Sequence, residues 1–345
     1  MLLLSLSQLN YRNLRTPRLE FSGGVNAIVG RNAAGKSNVL EAAYLGCTGE
    51  LPGGKIAETV RIGEEEGFVS AQIEREDGVS TTQVGLAPGR KVIRLDGQNV
   101  RAFELARVAA AVLITPEDAD MVHGSPAARR HYLDSLLSRL SYRYALLSRE
   151  YNRVVEQRNA SLKRFDPTLS VWTARFVELG GEIMALRERA VGRIREIARA
   201  SYAEISGQDK ELGVHLASTE GPDLEAALYA SEDEERARGV TVVGPHRDDL
   251  VLTLNEYSVQ AYGSRGEART AALALRVAEY RLLHEKHREA PVLLLDDFTA
   301  ELDAGRREFL LSLAANTPQA LVSGTEAPPH AAKHLFVSGG QISVG

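Results

Sequence analysis

The sequence has few of the features that mark secreted, membrane-spanning or strongly basic proteins. Cys47 is the one cysteine, so no disulfide can form within the chain. This favours a reducing, cytoplasmic compartment, with Cys47 as a small packed residue. No run approaches the roughly 18 apolar residues of a membrane span, and the apolar start at residues 1–9 is too short for a secretory signal. The net charge of -5 argues against an overall positive coat, and 345 residues suffice for two domains.

One glycine-rich segment carries a specific nucleotide signal, because it fits the P-loop pattern of two glycines, a lysine and a hydroxyl after an apolar strand. Its glycines let backbone N–H groups point at phosphate oxygens, and the following helix adds its positive end. We expect Lys36 to reach the β- and γ-phosphates of ATP and Ser37 to bind Mg²⁺. The alternative is a glycine-rich turn that matches by chance. The predicted ATP-binding residues are Gly30, Arg31, Asn32, Ala33, Ala34, Gly35, Lys36 and Ser37.

A second part of the site is predicted about 260 residues later, where the apolar run 291–295 ends in Asp296 and Asp297. Ligands of α/β sheets bind at such strand ends. We expect Asp296 to hold Mg²⁺ through water and Asp297 to orient or deprotonate the attacking water, so that Lys36, Asp296 and Asp297 are the catalytic set. A plain helix or turn cap is the alternative for the two acids.

Two further segments resemble motifs of ABC-type ATPases. The first is a turn of small residues that opens a helix before the acidic strand, and it resembles the signature motif, whose serine and glycine N–H groups meet a γ-phosphate held by a second subunit. It consists of Ser264, Arg265, Gly266 and Glu267. The second follows the acids and resembles the D-loop, with Glu301 and Asp303. The resemblance therefore implies a head-to-tail dimer with ATP between its subunits and release after hydrolysis.

Three more segments narrow the resemblance. They are residues 115–122, residues 124–134 and the run Gly-Pro-His-Arg-Asp-Asp at 244–249. Together with residues 9–14 they resemble the RecF family of bacterial recombination mediators over nearly the whole chain. This implies a weak, DNA-stimulated ATPase that binds gapped or junction DNA and works with RecR and RecO to load RecA. The role of Arg247 stays open between a plain surface charge and a contact to nucleotide, DNA or an interdomain acid.

Several positions depart from the family pattern. Ala33 stands where glycine is common, and Glu267 stands where the signature usually has glutamine. A carboxylate there should weaken ATP-driven pairing unless it turns away or meets a cation. The stretch 50–55 lacks the arginine expected there, and Lys55 is its basic residue. Thr325 follows the last apolar strand in place of the switch histidine of transporter ATPases and is the candidate γ-phosphate sensor.

The segment between the two halves of the site is predicted to be helical. Apolar residues recur at three- and four-residue steps on both sides of the break at 166–167, which predicts two long helices in an antiparallel hairpin, with Trp172 as an anchor. The fold class is therefore α/β, a P-loop ABC-type ATPase head with an antiparallel β flank and an inserted helical lobe. The predicted domains are 1–125 (head), 126–240 (lobe) and 241–345 (head).

The predicted DNA contacts lie in the lobe. Residues 129–164 contain nine basic residues and three acidic ones, a local excess of positive charge on an acidic protein. A surface that tracks phosphates is one interpretation, with Arg139, Arg143 and Arg149 as its residues, and a solvated helix face is the other.

Three other function classes are kept as alternatives. An SMC-like ATPase that processes DNA ends would need hundreds of coiled-coil residues. A transporter ATPase subunit would carry the switch histidine and lack the run at 244–249. A binding module without catalysis would show no ATP turnover in the presence of DNA and partners.

Overall fold

The computed structural model describes residues 1–164, 166–218, 223–297 and 303–345. The chain forms two compact units, one with residues 1–118, 204–207 and 275–345, the other with residues 119–203 and 208–274. The described strands are β1 (Leu2–Leu9), β2 (Arg18–Glu20), β3 (Gly24–Gly30), β4 (Gly67–Arg75), β5 (Gly78–Ala87), β6 (Arg90–Leu95), β7 (Gln98–Val100), β8 (Ala111–Ile114), β9 (Leu212–Ala217), β10 (Asp249–Leu254), β11 (Tyr257–Ser258), β12 (Val292–Leu295), β13 (Gln319–Gly324), β14 (Lys333–Ser338) and β15 (Gln341–Val344). The described helices are α1 (Lys36–Thr48), α2 (Ile56–Thr59), α3 (Ala102–Leu105), α4 (Asp118–His123), α5 (Pro126–Leu140), α6 (Tyr142–Arg164), α7 (Leu169–Ser206), α8 (Leu224–Ala230), α9 (Glu232–Arg238), α10 (Val259–Tyr262), α11 (Arg265–His287) and α12 (Ala304–Ala315), with a 3₁₀ turn at Pro245–Arg247.

A six-stranded sheet in the order β15-β14-β3-β13-β12-β8 forms the centre of the first unit. Its pairs are parallel, except that β14 pairs with β15 antiparallel. Every residue of β8 and β12 is buried, as expected for parallel strands covered on both faces. Because β3 and β12 flank β13 and run in the same direction, the P-loop and Asp296 follow strands that end at one edge of the sheet.

An antiparallel sheet in the order β2-β1-β4-β5-β6-β7 is the second layer of this unit. This sheet is the antiparallel flank that the sequence predicts, with β4 and β5 at its centre. Helix α1 contacts strands of both sheets, which explains why it is buried nearly all round. Cys47 is fully buried on this helix, and burial raises the pKa of its thiol to about 12, as suits an unreactive packed residue. The predicted α/β class with an antiparallel flank is confirmed.

The second unit is built on long helices. Helices α6 and α7 run antiparallel, since Arg143 meets Glu182 near one end of the pair and Arg158 meets Thr173 near the other. The sequence predicts one helix across residue 141, and this is wrong. Ser141 has an extended backbone, ends α5 and accepts a hydrogen bond from the N–H of Tyr144 at the start of α6. The buried face of α7 is lined by residues at helical spacing, whereas Trp172 is only half-buried and is not the main anchor; that face includes Phe176, Leu179, Ile183, Val191, Ile194 and Ala198.

The predicted lobe boundary at residue 240 is not a boundary in the structure, because the second unit continues to Ala274. Strand β10 follows that boundary and β9 precedes it, yet the two strands pair antiparallel, with Leu250 opposite Leu216. Arg129 also holds both carboxylate oxygens of Asp249, at 2.8 and 2.7 Å. The pairing of β10 with β9 therefore places residues 241–274 in the second unit, together with its long helices. Within the described ranges, no helix is long and apolar enough to cross a membrane.

Candidate functional site

The predicted P-loop connects β3, which ends at Gly30, to α1, which begins at Lys36. A Cβ atom on Gly30 would lie 2.4 Å from the carbonyl oxygen of Val337, and one on Gly35 would lie 2.6 Å from Oδ1 of Asn13. Gly35 also has φ of 111°, which favours glycine. Both glycines of the motif are therefore required by the space and backbone conformation of the loop.

Ala33 lies in the left-handed region, with φ of 65°. This conformation costs an alanine about 1–2 kcal/mol, which accounts for the glycine that is common at this position. Neighbouring bonds hold the loop in place, since the carbonyl oxygen of Ala34 accepts from the N–H of Gly340 at 2.9 Å and from Nδ2 of Asn13 at 3.4 Å. The departure from glycine is thus accommodated by the surrounding structure.

Lys36 is buried, and its Nζ donates to the carbonyl oxygen of Arg31 at 3.2 Å. The ammonium is therefore held against the preceding loop. Arg31, Asn32 and Ala33 are exposed at the turn of that loop.

The two predicted halves of the metal site lie together in the first unit. Ser37 Oγ donates to Oδ1 of Asp296 at 3.1 Å, across 259 residues of sequence. Ser323 Oγ donates to the same oxygen at 2.6 Å and accepts from the backbone N–H of Asp297 at 2.8 Å. Asp297 has φ of 46°, a conformation that is strained for a residue with a side chain. Ser323 is a positioning residue that the motifs did not reveal, although it precedes Thr325 at the end of the predicted strand.

Burial raises the pKa of the Asp296 carboxyl, and the charges of Glu117 and Asp297 raise it further against the opposing serine hydrogen bonds. Burial likewise raises the pKa of Glu41 against the lowering effect of its ion pair with Arg12, and the charges of Asp296 and Glu117 raise it further. A cation would relieve this group of acids. Hydroxyl and carboxylate oxygens suit Mg²⁺, which keeps waters and phosphate oxygens among its ligands. No cluster of three or more His, Cys, Asp or Glu in the described ranges could hold a metal, so Mg²⁺ at Ser37 and Asp296 would depend on the nucleotide for its other ligands.

An asparagine pair supports the loop and was not predicted as part of the site. Asn38 Nδ2 donates to Oδ1 of Asn13 at 2.8 Å, and Asn13 in turn touches the loop at Ala34. Gly340 packs so closely on the Asn13 carbonyl that no Cβ would fit there. Asn13 belongs to the segment 9–14 that resembles the RecF family, which was the available signal.

The signature residues lie in the second unit, at the start of α11. Ser264 and Glu267 form a capping box, in which Glu267 Oε2 accepts from the Ser264 N–H at 2.8 Å and Ser264 Oγ accepts from the Glu267 N–H at 3.2 Å. Glu267 Oε1 accepts from Nζ of Lys210 at 2.6 Å. The Lys210 ammonium and the Ser264 bonds lower the pKa of Glu267 to about 2. The carboxylate has therefore turned towards the helix end and met a cation. Arg265 is exposed and Gly266 is half-buried.

The remaining predicted nucleotide residues are only partly described. Glu301 lies outside the described residues. Asp303 caps α12, and its Oδ1 accepts from the N–H of Arg306 at 2.9 Å. Thr325 is exposed immediately after β13.

The predicted DNA contact at Arg139 is wrong, because this side chain is buried, with 4% of the residue exposed, and cannot present its guanidinium to a phosphate. Arg129 and Arg158 of the same basic stretch are also buried, in ion pairs with Asp249 and Glu235. Arg143 and Arg149 are exposed, as are three further basic residues of α6. These are Arg153, Lys163 and Arg164. The sequence count of positive charge therefore overstates the basic surface of the lobe.

The run at 244–249 joins helices within the second unit. Arg187 donates to Asp248 Oδ2 at 3.1 Å and to Asp134 Oδ1 at 2.7 Å. Arg247 donates to the carbonyl oxygen of Thr241 at 3.0 Å through Nη2. Burial lowers the pKa of His246 to about 4, so this ring is neutral at pH 7. The described contacts of this run are those of a structural junction.

Comparison with known proteins agrees with this architecture. The profile of the RecF/RecN/SMC N terminal domain family matches residues 2–329. A protein of Deinococcus radiodurans named DNA replication and repair protein RecF is 49% identical over 341 residues, or 98% of this chain and 94% of that relative. A solved structure of the recombination mediator protein RecF with ATP, in the RecFOR pathway, superposes with a TM-score of 0.92 at 29% identity, covering 99% of this chain and 97% of that one. The Smc head domain of Pyrococcus furiosus shares the fold, with a TM-score of 0.57 at 17% identity over 99% of this chain and 95% of that chain. The predicted ABC-type ATPase head is thus confirmed, and the chain belongs to the RecF family.

Proposed function

We propose that this chain is an ATP-dependent, DNA-binding recombination mediator of the cytoplasm. The observation that carries the proposal is the bond between Ser37 and Asp296, which joins a P-loop to the end of a second strand. This is the arrangement that phosphoryl-transfer sites of this class require.

In the proposed reaction, the loop N–H groups and Lys36 hold the β- and γ-phosphates, and Ser37 and Asp296 hold Mg²⁺. Bound Mg²⁺ would neutralise charge on the phosphates. Asp297 orients the attacking water, and the products are ADP and phosphate. The hydrogen bond from the Asp297 N–H to Ser323 supports this role, because it fixes the backbone of Asp297 next to Asp296.

The signature serine completes the site from a second chain. Ser264 and Gly266 of one subunit would face the γ-phosphate bound by Lys36 of the other, so ATP holds a dimer and hydrolysis releases it. The position of Ser264 at the N-terminus of a long helix supports this proposal, because that end attracts anions.

The DNA role follows from the family. A solved relative is described as a mediator in the RecFOR pathway, and we infer gapped or junction DNA, RecR, RecO and RecA as partners. We place the DNA contacts of α6 at exposed side chains, retaining Arg143 and Arg149 and replacing Arg139 with Arg153 and Arg164. Dimerisation would present two copies of this modest surface, so ATP strengthens DNA binding.

Titration of fluorescent gapped DNA with and without ATP tests this function. We expect tighter binding with ATP, weak ATPase activity that rises with DNA, and no ATP effect in Lys36→Ala. Replacing Arg149, Arg153 and Arg164 with Glu should reduce the log–log salt slope by about 0.9 for each phosphate that the variant no longer neutralises. Equal DNA affinity with and without ATP would contradict the mediator proposal. Preference for blunt ends over gaps would favour the SMC-like alternative.

A further inference from the structure

The two groups by which Ser264 would meet a phosphate already have partners within the chain. Its N–H donates to the Glu267 carboxylate, and its Oγ accepts from the Glu267 N–H. In the proposed head-to-tail dimer with ATP between its subunits, here called the sandwich, the start of α11 faces the γ-phosphate of the partner. The negatively charged Glu267 carboxylate therefore occupies the place that this phosphate would approach. Two anions cannot share that end at low cost, because like charges at such a distance repel strongly.

Lys210 lies where its ammonium can neutralise the Glu267 carboxylate. It lies two residues before β9, and the next residue, Glu211, is tied to Asn255 in the turn between β10 and β11. The Glu211 N–H donates to Oδ1 of Asn255, and the Asn255 N–H donates to the Glu211 carbonyl oxygen. The three-stranded sheet thereby anchors the backbone beside Lys210. Its Nζ holds Oε1 of Glu267 at 2.6 Å, whereas the Ser264 N–H is held by the other oxygen, Oε2.

We propose that Lys210 is a positioning residue of the signature site, which retains and neutralises Glu267 when a partner's γ-phosphate takes the Ser264 N–H. This inference rests on the sandwich of the proposed function. Phosphate binding requires only that Oε2 release Ser264, because Oε1 stays with Lys210. Glutamine at this position would carry no charge and would need no cation. Lys210 neutralises the charge of Glu267, so that a glutamate here remains compatible with phosphate binding.

The test is a double-mutant cycle on ATP-dependent dimerisation of the full chain. The four proteins are wild type, Lys210→Met, Glu267→Gln and the double variant, studied by sedimentation velocity with ATP and Mg²⁺. Lys210→Met should weaken dimerisation about tenfold or more, as expected when a charged hydrogen bond is removed. In the Glu267→Gln background the same change should have little effect. Lys163→Met and Glu188→Gln, at exposed positions of the same unit, control for charge alone.

The results separate two kinds of failure. Equal weakening by Lys210→Met in both backgrounds overturns the role given to Lys210 and leaves the sandwich intact. A wild-type chain that stays monomeric with ATP overturns the sandwich, and the role of Lys210 with it. The rate of hydrogen exchange in peptide 262–268 of the nucleotide-free chain provides an independent measurement of the contact between Lys210 and Glu267. Faster exchange at Ser264 in Lys210→Met than in Lys163→Met is expected, and unchanged exchange contradicts the contact itself.

Discussion

Two serine–carboxylate pairs at helix starts, Ser37 with Asp296 and Ser264 with Glu267, have opposite electrostatics. Ser37 meets Asp296 in a half-buried place beside other acids, where burial raises the pKa of the carboxyl. Ser264 meets Glu267 in a more exposed place beside Lys210, where the ammonium lowers the pKa to about 2. Acidic neighbours surround the first pair, where a bound cation would be favourable, whereas Lys210 already neutralises the carboxylate of the second pair. This difference fits the roles proposed above, in which the first pair binds Mg²⁺ and the second, already neutralised by Lys210, faces a partner's phosphate.

The largest effect is expected from Asp296→Asn. The amide cannot replace a carboxylate as a Mg²⁺ ligand, so steady-state ATPase should fall at least about 100-fold. The same change should raise the free energy of unfolding of the nucleotide-free chain, because it removes a charge that burial disfavours. Ser323→Ala, which keeps the carboxylate and removes one positioning bond, is the control and should lose far less activity. A destabilised Asp296→Asn protein with normal activity would contradict the assignment.

Lys36→Arg should retain nucleotide affinity and lose most hydrolysis. A planar guanidinium cannot reproduce the compact ammonium contact on the transferred phosphate, and the buried position leaves little room for it. ATPase assays and nucleotide titration together check this prediction. Activity within about a factor of two of wild type would mean that Lys36 does not contact the phosphates.

Changes at Asp297 and at Ser264 should have opposite effects on ATP-dependent dimerisation. Asp297→Asn should accumulate an ATP-bound dimer, because binding survives while water activation fails. Ser264→Arg should prevent the dimer by crowding the partner's γ-phosphate. Sedimentation of both variants with ATP measures these effects. Normal dimerisation of Ser264→Arg would contradict the proposed dimer with ATP between its subunits.

The smallest effect concerns acid stability. Because the folded pKa of Glu267 lies below its ordinary 4.5, its contribution to stability is complete above that value and is lost as pH falls towards 2. The wild type should therefore exceed Glu267→Gln in unfolding free energy near pH 6, and this difference should shrink as the pH drops through 4.5. Urea unfolding at stepped pH measures it. A difference that is constant with pH would mean that the Lys210 contact does not persist in solution.

The elements fixed by local pattern could be predicted from the sequence, and those fixed by distant partners could not. The P-loop, the strand before Asp296 and the strands of the antiparallel flank follow from glycine placement and apolar runs. The pairing of Lys210 with Glu267 and the burial of Arg139 depend on where remote segments meet. The helix break at Ser141 leaves no mark on the apolar stripe, which continues across it; the extended backbone of Ser141 and its hydrogen bond from the Tyr144 N–H show the break in the structure.

The central claim is that Lys36 of one chain and Ser264 of another serve the same ATP. Mixing Lys36→Ala and Ser264→Arg proteins, each inactive alone, tests it most directly, since a mixed dimer contains one intact site and one doubly defective site. Because neither parent chain pairs productively with itself, activity should appear on mixing and reach at most about half of the wild-type value, since each mixed two-fold dimer has one intact site instead of two. No recovery at any mixing ratio, while each parent chain remains folded, would contradict the claim.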